Sequence, residues 1–143
     1  MAFDRWKVTS TTRLKLVTGQ FDLDNDAFKV ALFASTSNLG TASTTFASVT
    51  NELPAANGYT PGGVAVTLDI TGTDLLSVAF ATNPKWTATG GSLVANKAAL
   101  YKVGGDVLAW LQLDDTGIDL ITTVGNELEL DNDGTPYPVL TLG

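Results

Sequence analysis

The sequence has no cysteine and no histidine, and both absences narrow the chemistry available to the chain. Without cysteine there is no disulfide framework, no thiolate nucleophile and no zinc site of the usual kind. Without histidine the chain lacks the commonest general base and metal ligand. Charged residues are scarce, at 16% of 143 positions, and no apolar run approaches the 18 or so residues of a membrane-spanning helix. We therefore expect no enzyme activity, no cofactor, no metal and no membrane partner.

The charge balance is acidic and unevenly distributed. Fifteen acidic residues against eight basic ones give a net charge of −7, and a protein that binds nucleic acid needs a basic surplus on one face. We therefore expect no nucleic-acid partner. Half of the basic residues lie in the first 15 positions and none follows Lys102, whereas eight acidic residues do. The two ends can pair, within one molecule or between neighbours, or both can be solvated surface.

Apolar periodicity indicates short β-strands. Threonine is abundant, with 21 copies, and β-branched residues fit pleated, half-buried strands. In one alternating run, Val64, Val66, Leu68 and Ile70 would share a face, and Gly104-Gly105 is typical of a tight hairpin. The predicted strands cover residues 28–34, 64–70, 75–81, 97–103, 107–113, 118–124, 127–130 and 137–142.

The predicted fold class is all-β. About eight short strands at this spacing favour an antiparallel β-sandwich or a flattened barrel. One short helix is predicted where Phe46, Val49 and Leu53 recur at i, i+3 and i+7. The alternative is an α+β domain in which the first 18 residues and the Phe46 segment are helical. At this length we expect one β-rich domain, residues 13–143, after an N-terminal arm of residues 1–12.

Residues 51–63 have the composition of a rigid recognition loop between two strands. Pro61 and Gly62 suit positions i+1 and i+2 of a type II turn, where proline presets φ and glycine supplies a positive φ. Glu52, Tyr59 and Pro61 are therefore candidates for an interface. The alternative is that Tyr59 closes the core and the loop is a well-packed connection.

Several motifs resemble a family of small virion proteins of tailed bacteriophages. They are Gly19, the Asp22-Leu23-Asp24 run with Asp26, Phe28 to Leu32, Val49 to Glu52, Gly58 to Gly63, and Ala99 to Lys102. The resemblance covers about four fifths of the chain. It implies a non-enzymatic particle component: a decoration, or cement, protein of the head. The acidic charge disfavours contact with packaged DNA, so we expect it on the outer surface of the head, and the lack of a signal-peptide core at the N-terminus predicts synthesis in the host cytoplasm. The implied partners are the major capsid protein and further copies of the chain, as a homotrimer or a dimer. A tail or head-tail connector component is the alternative.

The aromatic residues suggest a second class of function, a carbohydrate-binding module that stacks sugars on exposed rings. Trp110 lies in an apolar run and is predicted to be core or half-buried. Trp86 lies close to a loop and Trp6 lies in the arm, so both are predicted to be at the surface. Exposed aromatic residues also anchor protein interfaces, and we prefer that interpretation. The candidate interface residues are Phe3, Arg5, Trp6, Lys7, Glu52, Tyr59, Pro61 and Trp86.

Two acidic turns partly match a calcium-binding loop. Residues 22–26 place aspartates at positions 1, 3 and 5, but Ala27 and Phe33 stand where the loop needs glycine and glutamate. Residues 129–134 match similarly, with Leu140 at the last position. We therefore interpret both as turns that cap strands and keep edges soluble.

Overall fold

The computed structural model describes residues 5–130 and 139–142, and strands dominate these ranges. One short α-helix, α1 (Thr12–Val17), and one 3-10 turn (Phe46–Ser48) accompany them. The strands are β1 (Lys7–Val8), β2 (Phe28–Phe33), β3 (Val64–Val66), β4 (Leu68–Thr71), β5 (Leu76–Phe80), β6 (Lys85–Thr87), β7 (Leu93–Ala95), β8 (Lys97–Lys102), β9 (Val107–Gln112), β10 (Leu120–Thr122), β11 (Glu127–Glu129) and β12 (Leu140–Leu142).

All pairings between these strands are antiparallel, which confirms the predicted all-β class. The largest sheet has the order β1-β9-β8-β2-β3. A three-stranded sheet has the order β12-β5-β4, and two ribbons pair β10 with β7 and β11 with β6. The β8–β9 hairpin turns at Gly104-Gly105 as predicted, and Gly104 has a φ of +75°. In the described ranges no helix is long and apolar enough to cross a membrane.

The five-stranded sheet is covered on both faces. On one face Val30, Leu32 and Leu100 are completely buried in the main core, together with residues of the other sheets. On the opposite face Phe33 and Tyr101 belong to a second, smaller cluster, which the segment carrying Phe46 covers. Phe46 stacks on Tyr101 with ring centroids 3.7 Å apart. Two-sided burial explains why β2, β8 and β9 read as continuous apolar runs.

The predicted strand 64–70 is two strands that belong to different sheets. β3 pairs with β2 and β4 pairs with β5, and the chain passes between the sheets at Thr67, whose carbonyl accepts a hydrogen bond from Ala81 N–H (2.9 Å). Val64 and Val66 are half-buried and Leu68 is buried, but Ile70 is 38% exposed. The shared face predicted for this run therefore does not extend to Ile70.

The start of the chain differs from the predicted arm of residues 1–12. From Arg5 onward it is built into the domain, because β1 is the edge strand beside β9, with Lys7 opposite Trp110. Thr9 is buried and its N–H donates to Leu108 O (3.2 Å). Residues 1–4, which include the candidate Phe3, lie outside the described residues.

The short elements follow the sequence pattern only partly. The helix predicted from Phe46 is a single 3-10 turn, and Leu53 lies beyond it, buried beside β2 through the bond from its N–H to Leu32 O (3.0 Å). α1 is the six-residue helix that the α+β alternative anticipated in part. Near the C-terminal end, Leu128 and Leu130 are buried while Glu127 and Glu129 are exposed, as the alternation predicted.

Candidate interaction surfaces

The loop of residues 51–63 is held in one shape by the carboxylate of Glu52. Its Oε2 accepts hydrogen bonds from the Tyr59 hydroxyl and from Gly62 N–H, each at 2.5 Å. The Tyr59 hydroxyl in turn accepts a bond from Leu32 N–H in β2 (3.1 Å). From the other side the Tyr101 hydroxyl donates to Gly62 O (2.6 Å). We call these four contacts the Glu52 lock, since together they tie the loop to two strands of the main sheet.

The turn at the tip of this loop has the predicted conformation. Gly63 N–H donates to Thr60 O (3.0 Å), and Gly62, at the third position, has a φ of +94°. Gly63 also has a positive φ (+80°), and a Cβ at this position would lie 1.8 Å from Val30 O. The second glycine is thus required both by its φ and by the close approach of the turn to β2.

The hydroxyls of the Glu52 lock stay protonated across the physiological range. Burial, and then the hydrogen bond to Glu52, raise the pKa of Tyr59 well above its ordinary value. Burial, and then the negative charge of Glu52, raise the pKa of Tyr101 to about 12. Both side chains therefore remain neutral hydrogen-bond donors near neutral pH.

Four of the candidate interface residues are now placed around this loop. Tyr59 is only 3% exposed, so the alternative in which it closes the core is the correct one. Trp86 is 4% exposed, and the prediction that it lies at the surface is wrong. The reason is that β6, which was not predicted, alternates exposed Lys85 and Thr87 with an inward Trp86. Glu52 is half-buried in the lock, and Pro61 is exposed at the tip.

The remaining aromatic candidates pack against other side chains and are not fully exposed to solvent. Trp6 is half-buried and meets Phe80 edge-to-face, with centroids 5.7 Å apart. Trp110 is half-buried as predicted, its Nε1 donates to Thr41 Oγ1 (3.2 Å), and Lys7 Nζ lies 4.9 Å from the ring centroid. Arg5 is exposed. Trp6 and Trp86, the two rings expected to stack on sugars, are therefore packed at the edge of the core and within it.

The acidic turn of residues 22–26 is organised by its own backbone. Asp26 Oδ2 accepts the N–H of Asp22 (2.8 Å), and it pairs with Lys102 Nζ at 3.0 Å. A side-chain bond from Asn25 lowers the pKa of Asp22, and the bond from Asp22 N–H lowers the pKa of Asp26. Within residues 5–130 and 139–142 no group of three potential metal ligands converges. The second acidic turn falls largely on residues 131–138, outside the described ranges.

Two exposed apolar surfaces were not predicted from the sequence. The first, which we call the helix face, consists of Arg13, Leu14 and Val17 on α1. The second, the ribbon face, lies on the outer side of β7 and β10. It consists of Val94, Asp119 and Ile121, and the exposed residues Ile118 and Val124 lie close by in the chain. Six of the nine large apolar side chains exposed in the described residues lie on these two faces or beside β10 in the chain. Isoleucine and valine recur every three residues in 118–124, but that spacing alternates between the faces of a strand, so no local pattern indicated a shared surface.

An apolar groove adjoins α1. It has a volume of about 350 Å³ and lies between the helix, the following loop and the β12-β5-β4 sheet. Its walls include Leu16, Phe21 and Ile70, and Asp22 and Asp24 contribute polar atoms. The groove therefore enlarges the apolar surface at this end of the molecule without contributing any reactive group.

Comparison of the chain with models of protein families, with curated proteins and with solved structures gives no match. The bacteriophage resemblance therefore stays a prediction from the motifs quoted above.

Proposed function

We propose that this protein is a structural component of a tailed-bacteriophage virion, a decoration protein that binds the outer surface of the head and stabilises its lattice. The major capsid protein is the proposed partner, and the head exterior is the proposed location. The proposal assigns the protein no catalytic step and no cofactor.

The observation that carries the proposal is the preorganised loop of residues 51–63. Its tip carries exposed Thr60 and Pro61, while the Glu52 lock fixes the backbone behind them. A loop already held in its bound shape loses little conformational entropy on binding, so more of its contact energy appears as affinity. The polar groups of the Glu52 lock bond to one another and fix the shape of the loop. This arrangement supports a role in binding a partner surface more than a role in catalysis.

Binding of this kind stabilises a shell by mass action. A ligand that binds the assembled lattice and not its dissociated subunits shifts the equilibrium toward assembly. About 1.4 kcal/mol per bound copy corresponds to a tenfold shift at each site, and many sites act on one shell. A protein that bridges neighbouring capsomers would therefore strengthen the head in proportion to its occupancy.

The test compares particles assembled with and without the protein. Particles that lack it should have normal geometry and rupture at a lower temperature or after osmotic shock. Adding purified protein should restore their resistance, whereas a Pro61→Asp variant should restore less of it. A matched control, Thr73→Asp, changes an exposed turn residue elsewhere and should restore resistance fully. Equal robustness with and without the protein would contradict the proposal.

A tail or head-tail connector role remains the alternative within the same class. It predicts that particles without the protein keep robust heads and fail in tail attachment. The carbohydrate-binding alternative was based on predicted exposed aromatic rings. Trp86 and Tyr59 are instead buried, and Trp6 packs on Phe80. Binding of the isolated protein to a glycan array would revive it.

A further inference from the structure

The helix face lies on a helix that is fixed to the rest of the domain. Thr12 is buried and its Oγ1 donates to Leu108 O (2.7 Å), while Lys15 forms an ion pair with Asp106. These contacts fix one side of α1 against β9 and leave the other side outward. On that side Leu14 is 64% exposed and Val17 is 86% exposed. Their spacing of three residues places them on one face of the helix.

The ribbon face is also fixed by a buried framework. Leu93 and Ala95 in β7 and Thr122 in β10 are buried on the inner side. On the outer side Ile121 lies directly opposite Val94 in the antiparallel register, and they are 60% and 42% exposed. Ile118 and Val124, each 59% exposed, lie in the chain just beyond the two ends of β10.

The two faces lie toward opposite ends of the β8–β9 hairpin. α1 is fastened close to its turn, at Asp106 and Leu108. The ribbon adjoins the open end, because Asn96 follows β7, precedes β8 and donates to Asp119 Oδ1 (3.0 Å). Six-residue strands separate these ends by about 17 Å. One copy therefore cannot use its helix face to cover its own ribbon face.

Charge distinguishes the two faces. The ribbon face includes exposed Asp119, and exposed Asp115 lies close by in the chain. Lys97, the basic residue that follows β7 two positions later, donates hydrogen bonds from its Nζ to the carbonyls of Ser37 and Leu39 (3.1 and 3.4 Å). The helix face carries exposed Arg13. Two ribbon faces in contact would bring like charges together, whereas a ribbon face against a helix face brings opposite charges together around apolar centres.

We propose that copies of this chain bind head to tail, with the helix face of one copy on the ribbon face of the next. Such a contact joins two different surfaces, so it produces a closed ring if the rotation between copies closes, and a filament if it does not. Both faces are small, and we expect a dissociation constant between about 1 µM and 1 mM. The contact concerns the protein alone in solution and is independent of the proposed particle binding.

The first experiment is sedimentation equilibrium of the full chain up to about 1 mM, the upper end of that affinity range. The wild type should associate as concentration rises, and less so at high salt because opposite charges are screened. Leu14→Asp and Ile121→Asp should each abolish association. Leu75→Asp is the matched control, since Leu75 is 62% exposed and belongs to neither face, and it should associate like the wild type. A wild type that stays monomeric throughout would overturn the proposal.

The second experiment mixes the two disabled variants. Leu14→Asp keeps an intact ribbon face and Ile121→Asp keeps an intact helix face, so the mixture should form a one-to-one dimer that grows no further. If ribbon faces paired with each other instead, Leu14→Asp alone would still associate and the mixture would form no mixed dimer. That result would also overturn the proposal. Circular dichroism of each variant separates a lost contact from a lost fold.

Discussion

The five-stranded sheet and the β7–β10 ribbon use the same kind of strand for different purposes. In the sheet, Val30 and Leu100 on one face and Phe33 on the other are completely buried. In the ribbon, Leu93 is 2% exposed on the inner face, while Val94 beside it in sequence is 42% exposed on the outer one. Burial on both faces makes the sheet the source of stability, and burial on one face leaves the ribbon a surface available to a partner.

The largest expected difference between these regions is in the cost of removing an apolar side chain. Leu100→Ala in the sheet should lower the free energy of unfolding by about 2–5 kcal/mol, because it removes packed methyl groups and leaves a cavity. Ile121→Ala on the ribbon face should change it by no more than about 0.5 kcal/mol. Denaturant unfolding of both variants measures the difference. Equal destabilisation would erase the distinction between the two regions.

A second expected effect tests how closely loop 51–63 is packed on the sheet. Gly63→Ala should cost about 3 kcal/mol or more, since it combines a positive φ with a Cβ placed 1.8 Å from Val30 O. Gly90→Ala is the matched control, with a φ of +75° and open space around its Cβ, and should cost only about 1–2 kcal/mol. Thermal or denaturant unfolding gives both values. A Gly63→Ala variant no less stable than the control would contradict the close approach.

The third prediction concerns the Glu52 lock. Tyr59→Phe should lower the free energy of unfolding by about 2 kcal/mol, because it leaves the buried Leu32 N–H without its acceptor and removes one of the two hydrogen bonds that Glu52 Oε2 accepts. Its control is Tyr101→Phe, which removes a single bond to Gly62 O and should cost about 1 kcal/mol. Equal stability of Tyr59→Phe and the wild type would show that the lock does not hold the loop.

The lock also predicts a dependence on alkaline pH. Because the pKa of Tyr59 is higher in the folded chain than its unfolded value, its contribution to stability is complete below about pH 10 and declines as the pH rises further. Tyr59→Phe should show a flatter decline over the same range. Unfolding free energies measured from pH 8 to 11 in both proteins give the comparison, and parallel curves would contradict the assignment.

The smallest expected effect is at the turn of residues 22–26. The pKa values of Asp22 and Asp26 are lowered in the folded chain, so their contribution is present above their ordinary pKa and is lost as the pH falls through the folded one. Lys102→Met removes the partner of Asp26 and should raise the midpoint of acid unfolding slightly. Lys85→Met, whose contact with Glu127 is long at 3.8 Å and exposed, should leave it unchanged. The reverse order would contradict this reading of the turn.

The same comparison explains how far the fold could be predicted from the sequence. Residues 28–33, 97–102 and 107–112 are buried on both faces, so their apolar runs were long enough to recognise. β6 and β7 have three residues each and lie among threonines and glycines, and a pattern of period two needs more residues than that to be detected. The misplacement of Trp86 followed from the unrecognised β6.

The candidate sites were less predictable because they depend on contacts between distant residues. The turn at Pro61-Gly62 was predicted, since its φ preferences are local. The Glu52 lock joins residues 32, 52, 59, 62 and 101. No local sequence pattern predicts contacts between residues so far apart in the chain. To recognise the helix and ribbon faces, one must know which apolar side chains are exposed. A segment of mixed apolar and polar residues does not specify this.

Electron microscopy of the whole virion tests the central claim most directly. The claim is that this protein is a decoration protein on the outer surface of the head. A density map should place a β-rich domain of 143 residues on the outer surface at regular positions between capsomers, with loop 51–63 turned toward the shell. Density for the protein confined to the tail or the head-tail junction, or its absence from the particle, would contradict that claim.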